Sequence, residues 1–125
     1  MLDIRVSLDA AEINDPAELE RLHRRLRNHL ERSGLERVRP VRSAEAVEGG
    51  RGVQEFIAGV FQAVVVKSVT AVAAPFARAL ADFVSRSGRS VSVEIDGDKL
   101  TIDRPSGEQV EKILTQFLEH HRKDG

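Results

Sequence analysis

The stretch from Val53 to Arg86 is apolar almost throughout and governs what this chain can become. Glu55, Lys67, Arg78, Asp82 and Arg86 interrupt it, and no uncharged run within it reaches the 18 or so residues that a membrane span requires. The tract is therefore core or interface, and no membrane span is expected. Val53, Phe56, Ile57, Val60, Phe61, Val64 and Val65 fall on one helical stripe, and Val69, Val72, Phe76, Leu80 and Phe83 on another. Pro75 interrupts what would otherwise be a single helix, at a cost of about 3 kcal/mol unless the chain bends or restarts there. The spacing predicts two helices, or one kinked helix, with a change of direction between Lys67 and Pro75.

The flanks are of ordinary amphipathic character. Leu2, Ile4, Val6 and Leu8 alternate with Asp3, Arg5 and Ser7, the period of a strand with one buried and one wet face. Asp15-Pro16-Ala17-Glu18 supplies a side-chain acceptor, a proline at the first helical position and a carboxylate three residues after the cap. Leu19, Leu22, Leu26 and Leu30 continue at helical spacing, and Gly34 can take the left-handed conformation that closes a helix running roughly from Pro16 to Ser33. A short strand is expected near Arg37 to Val41, at an edge, because Pro40 cannot donate to a ladder. Residues 42–52, polar and rich in glycine, read as a mobile connector within one domain spanning 1–125.

Asp96-Gly97 stands between two alternating runs, Val91, Val93, Ile95 and Leu100, Ile102, and signals a two-residue hairpin. That register sets Val93 opposite Leu100 and Val91 opposite Ile102. Ser106 and Gln109 can cap a last helix whose apolar face is Val110, Ile113, Leu114, Phe117 and Leu118. The predicted order is β-α-β-α-α-β-β-α: an α+β fold with one sheet of about four strands and helices packed on it.

Residue chemistry offers no active site. The chain has no cysteine, hence no disulfide framework, thiolate nucleophile or zinc-thiolate site. No serine stands in a strand-to-helix elbow, and the glycines at 49, 50 and 52 lack the lysine and hydroxyl of a phosphate loop. His23 and His29 are six apart and point to different helix faces, while His120 and His121 sit beside Arg122 and Lys123 where cations complement a helix C-terminus. No metal or other cofactor is implied, and the chain reads as a non-enzyme. The N-terminus MLDIRVSLDA lacks the basic region and apolar core of a signal peptide, which makes the cytoplasm the expected location.

Charge names no partner in bulk, the net charge being −1, yet it is unevenly placed. From Pro16 to Arg42 eight arginines stand against four glutamates; from Glu94 to Asp124 eight acids stand against five bases. Arg21, Arg24, Arg25 and Arg27 form a basic helix face with no aromatic interleaved to stack on bases. Pairs of Glu20 with Arg24 and Glu31 with Arg27 favour a solvated, salt-bridged face over a nucleic-acid contact. The opposite charge of the two regions would permit head-to-tail self-association into a homo-oligomer.

The helix DPAELERLHRRLRNHL, the exit ERVRPV, the small and apolar helices ending in ARALADFVSRSG, the hairpin SVSVEIDGDKLTID and the closing EQVEKILTQFL together resemble the bacterial effector-associated constant component family. The resemblance covers nearly the whole chain and carries no catalytic signature. It implies a constant part of a bacterial conflict or immune-like system, encoded beside a variable effector such as a caspase-like or trypsin-like peptidase. On that footing the chain is a non-enzymatic adaptor or assembly module whose partner is an effector protein encoded nearby.

An adaptor needs a surface that another chain can bury. Ala58, Val60, Ala63, Val65 and Val66 extend the apolar surface of the 53–66 segment well beyond one stripe, so that segment is either central to the fold or a partner surface. In the second case Phe56, Phe61, Val65 and Phe76 are the expected anchors. Two other readings remain open at this level: a nucleic-acid-binding module using the arginine helix, and an antitoxin-like inhibitor of a neighbouring enzyme.

Overall fold

The computed structural model describes residues 2–10, 13–42, 56–66, 68–103 and 107–121. The chain runs β1 (Leu2–Leu8), α1 (Pro16–Glu31), β2 (Glu36–Arg42), β3 (Phe56–Val65), α2 (Val69–Ser87), β4 (Val91–Ile95), β5 (Asp98–Ile102) and α3 (Gly107–His121). The strands form one antiparallel sheet in the order β2-β3-β1-β4-β5. Strand β3 lies between β1 and β2, the split β-α-β arrangement, and the first six elements complete a β-α-β-β-α-β unit to which β5 and α3 are added. The α+β class and the flanking elements are as the sequence predicts; the sheet has five strands rather than about four.

The fifth strand is a correction. Residues 56–65, expected to be helical, form β3, and the remainder of the expected 53–66 helix lies partly outside the described residues. In this strand Phe61, Ala63 and Val65 point to the buried face while Val60, Gln62 and Val64 alternate with them. A nearly all-apolar run does not distinguish a strand from a helix by periodicity. The β-branched residues Val60, Val64 and Val65 favour the strand, and Gly59, at φ +78°, weakens the case for a continuous helix. The connector predicted at residues 42–52 lies beyond Arg42 outside the described residues.

The helical layer covers one face. Ile4, Val6 and Leu8 of β1 are buried, and the register places Ala63 and Phe61 beside Ile4 and Val6 on one side and Val93 beside Val6 on the other. Leu22, Leu26 and Leu30 of α1 close over β3 and β2, while α2 lies against both α1 and α3. Pro75 does not divide α2, which continues from Val69 to Ser87. The bond it deletes would have used the carbonyl of Ala71, an exposed residue whose acceptor water can satisfy. The change of direction falls within the predicted interval between Lys67 and Pro75, at its start, where Ser68 caps α2 by accepting from the Ala71 N–H at 3.2 Å. The hairpin has the predicted register, with Asp96 and Gly97 both at positive φ as a two-residue turn matching the sheet's twist requires.

The histidines pin elements together. His23 Nδ1 accepts the Gly59 N–H at 2.8 Å, and its ring stacks on Phe61 with centroids 4.6 Å apart. The His29 ring nitrogens stand 2.8 Å from the Arg25 carbonyl and 2.8 Å from the Asp82 carboxylate, which ties α1 to α2. Arg86 and then His29 hold the Asp82 carboxyl below its ordinary value. His121 is not at an open, fraying end: it is 8% exposed, with Asp98 at 3.1 Å and Asp96 at 3.9 Å from its two ring nitrogens. The last helix thus lies against the hairpin turn.

A pH dependence follows from His23. Burial first, then the Arg27 charge, lowers its proton affinity below the ordinary value of 6.5, against a smaller opposing effect of Glu20. The unfolded chain therefore takes up this proton at higher pH than the folded one. The stabilisation is complete above 6.5 and is lost as pH falls from there through the lower folded-state value. Urea midpoints measured between about pH 5 and 7.5 should decline toward acid in the parent chain. His23→Asn keeps an acceptor near Gly59 without titrating, and its midpoints should show a distinctly flatter decline; an equal slope in both proteins would remove His23 from this role.

Candidate interaction surface

The face of the sheet opposite the helices is built by the same alternation that fills the core. Register partners run unbroken across all five strands as Arg39, Gln62, Arg5, Glu94 and Lys99. Beside this row stand Glu36, Val64 and Asp3, and on its other side Val60, Ser7, Ser92 and Thr101, where the Ser92 and Thr101 hydroxyls are 3.3 Å apart. Asp3, Arg5, Glu36, Arg39 and Lys99 are exposed, and Gln62 and Glu94 half-buried. Among the described residues no helix packs on this face.

Two shallow concavities meet at Asp3 and Gln62. One, of about 310 Å³, is lined by Arg37, Val38, Arg39 and Val64; the other, of about 220 Å³, by Ile4, Arg5, Glu94, Asp96 and Gly97. Val64 is only 7% exposed although it faces this side, because it forms part of the floor of the first concavity. Its wall is an irregularity in β2. The pairing shifts between Glu36 and Arg39, so that Arg37 and Val38 together oppose Ala63, and Arg37 adopts φ +56°. Such a bulge twists an edge strand away from further pairing and re-aims a side chain. A positive φ at an arginine is an uncommon conformation for a residue with a Cβ. Among the described residues no ion pair engages Arg5, Arg37 or Arg39.

The sequence-predicted anchors lie elsewhere. Phe61 and Phe76 are completely buried and Val65 is 3% exposed, all three in the core beneath the helices. Phe56 belongs to β3, and its side chain lies outside the described residues. Phe61, Val65 and Phe76 are thus core: Phe61 and Val65 because residues 56–65 form an interior strand covered by α1 rather than a helix with a free side, and Phe76 because it lies on the buried face of α2. Arg21, Arg24, Arg25 and Arg27 are exposed on α1, on the far side of the helical layer from the sheet. Arg27 pairs with Glu31 at 3.3 Å as expected, whereas no Glu20–Arg24 pair forms among the described residues.

The row through Gln62 escaped the sequence reading because it exists only if residues 56–65 are a strand. Gly59, a poor residue for a helix interior, and the valine richness of that segment are the signals that could have found it. Among the described residues no three His, Cys, Asp or Glu side chains gather as a metal site, and no helix is long and apolar enough to cross a membrane.

No curated protein and no solved structure matches this chain. One family model does, over residues 9–119, from the end of β1 to the last turns of α3. That span takes in every element after β1, well over half of the chain, and so places the chain in the Effector Associated Constant Component 1 family.

Proposed function

We propose that this protein is a non-enzymatic adaptor or assembly module of a bacterial conflict system, binding a separately encoded effector through the outer face of its sheet. A caspase-like or trypsin-like peptidase is the kind of effector intended. The observation that supports this reading is the row of polar and charged side chains from Arg39 to Lys99, uncovered among the described residues, on a sheet whose other face is fully occupied. A sheet needs only one buried face to be stable, and an uncovered face of mixed charge can dock a partner by electrostatic complementarity without exposing apolar surface.

The test is co-expression with the protein encoded beside it, followed by affinity capture and sizing. The effector should co-elute with the parent chain and be lost from an Arg5→Glu/Arg39→Glu double variant that keeps the parent's thermal midpoint within a few degrees. An Arg21→Glu/Arg24→Glu variant on α1 should retain it. Capture that fails with the α1 variant but survives the sheet-face variant would place the effector on the helical side.

A further inference from the structure

We infer that the β2 side of the open sheet face receives an acidic segment of the partner protein, with Arg5, Arg37 and Arg39 taking its carboxylates and the Gln62 amide bonding between them. This rests on the adaptor reading and names the chemistry of the same surface. Three observations converge. Arg39 and Arg5 lie in one row on either side of Gln62, two strand spacings or roughly 10 Å apart. Arg37 lines the adjoining concavity from a bulge in which an arginine carries a conformation better suited to glycine. None of the three is engaged in an ion pair among the described residues, so an incoming carboxylate displaces no internal partner.

The spacing fits an extended chain. About 10 Å is close to one turn of a polyproline II helix, three residues at about 3.1 Å each, and residues i and i+3 share a face there, so carboxylates at those positions match Arg39 and Arg5. Arginine's planar fork suits bidentate contact with a carboxylate, and the side-chain amide of Gln62 can donate or accept between the two. A nucleic acid is a poorer match. Asp3, Glu36, Glu94 and Asp96 interrupt the arginines, so a continuous phosphate backbone would meet acids between its contacts, whereas two spaced carboxylates need meet only the arginines. No aromatic side chain joins the Arg39-to-Lys99 row to stack on bases.

The experiment uses the full chain and a short labelled peptide with two glutamates separated by two prolines, which favour that extended helix, followed by fluorescence anisotropy at low and moderate salt. The parent chain should bind it, more weakly as salt rises. Arg37→Gly and Arg5→Gln/Arg39→Gln should each weaken binding roughly tenfold or more, the loss of a charge-assisted contact. Glycine accepts the conformation at position 37 without strain, so Arg37→Gly should melt with the parent, and its lost binding cannot be attributed to unfolding. Arg21→Gln/Arg24→Gln on α1 should bind as the parent does.

Equal binding by the parent and both sheet-face variants overturns the inference, as does a preference for a single-stranded oligonucleotide of the same charge over the peptide. The adaptor reading fails separately. If the peptide binds as described but the neighbouring effector is never captured, the acidic-segment site stands and the effector assignment falls. If the effector is captured equally by parent and Arg37→Gly, while the peptide does not bind, the adaptor stands and this site falls.

Discussion

Phe61→Asp is expected to leave a chain with no cooperative thermal transition. Phe61 is completely buried, paired across the sheet with Val6 and stacked on His23. Truncating such a phenylalanine costs about 3 to 5 kcal/mol through lost transfer energy and the cavity left behind. A carboxylate in its place adds several kcal/mol more, either as an unpaired buried charge or as the work of keeping it protonated. Together these approach the whole stability of a domain of this size, typically about 5 to 15 kcal/mol. Circular dichroism should show loss of the folded signal at room temperature. Arg5→Asp, an exposed change on the neighbouring strand, should melt cooperatively within a few degrees of the parent. A well-folded Phe61→Asp protein that had merely lost a partner would mean that Phe61 is a surface anchor, contrary to its place in the core.

Gly59→Ala is the second large effect. The backbone there has φ +78°, where a Cβ costs about 1 to 2 kcal/mol, and a Cβ built at this position would stand 2.8 Å from the Cβ of Leu8, closer than two carbons can approach. Leu8 is itself in the core, so relief requires moving the end of β1, with overpacking of this kind costing about 1 to 3 kcal/mol. The expected loss is about 2 to 5 kcal/mol, read from urea unfolding. Gly97→Ala supplies the control: it shares the positive φ, at +88°, but a Cβ there meets nothing within 4 Å, so only the conformational part should be lost. Equal destabilisation by the two substitutions would show that the Leu8 contact is relieved at little cost.

Where neighbouring residues carry a local signal, the sequence and the structure agree. The Asp15 cap with Pro16, the alternation through β1 and the Asp96-Gly97 turn each depend on contacts within a few residues, and each is found where expected, down to Val93 opposite Leu100. Residues 56–65 were misread because an interior strand shielded on one face and half-shielded on the other has too few polar positions to mark its period. Pro75 was given too much weight for a related reason. The deleted hydrogen bond belongs to an exposed turn near the start of α2, a fact visible only once the helix is placed. The candidate surface was illegible as a surface because its members come from five separate strands, and the bulge that sets Arg37 has no distinctive sequence of its own.

The position of β1 bears on how the molecule comes into being. Its residue Val6 has Phe61 on one side and Val93 on the other, so β1 leaves the ribosome before either of the strands it pairs with. Closing such distant pairings must be met in chain entropy before any contact repays it, which slows assembly relative to a fold built from local hairpins. Until β4 is synthesised, the strand carrying Ile4, Val6 and Leu8 has no complete pairing available, and the ladder that β4 will occupy lies open to neighbouring nascent chains. Made before both of its neighbours, β1 waits on each of them in turn.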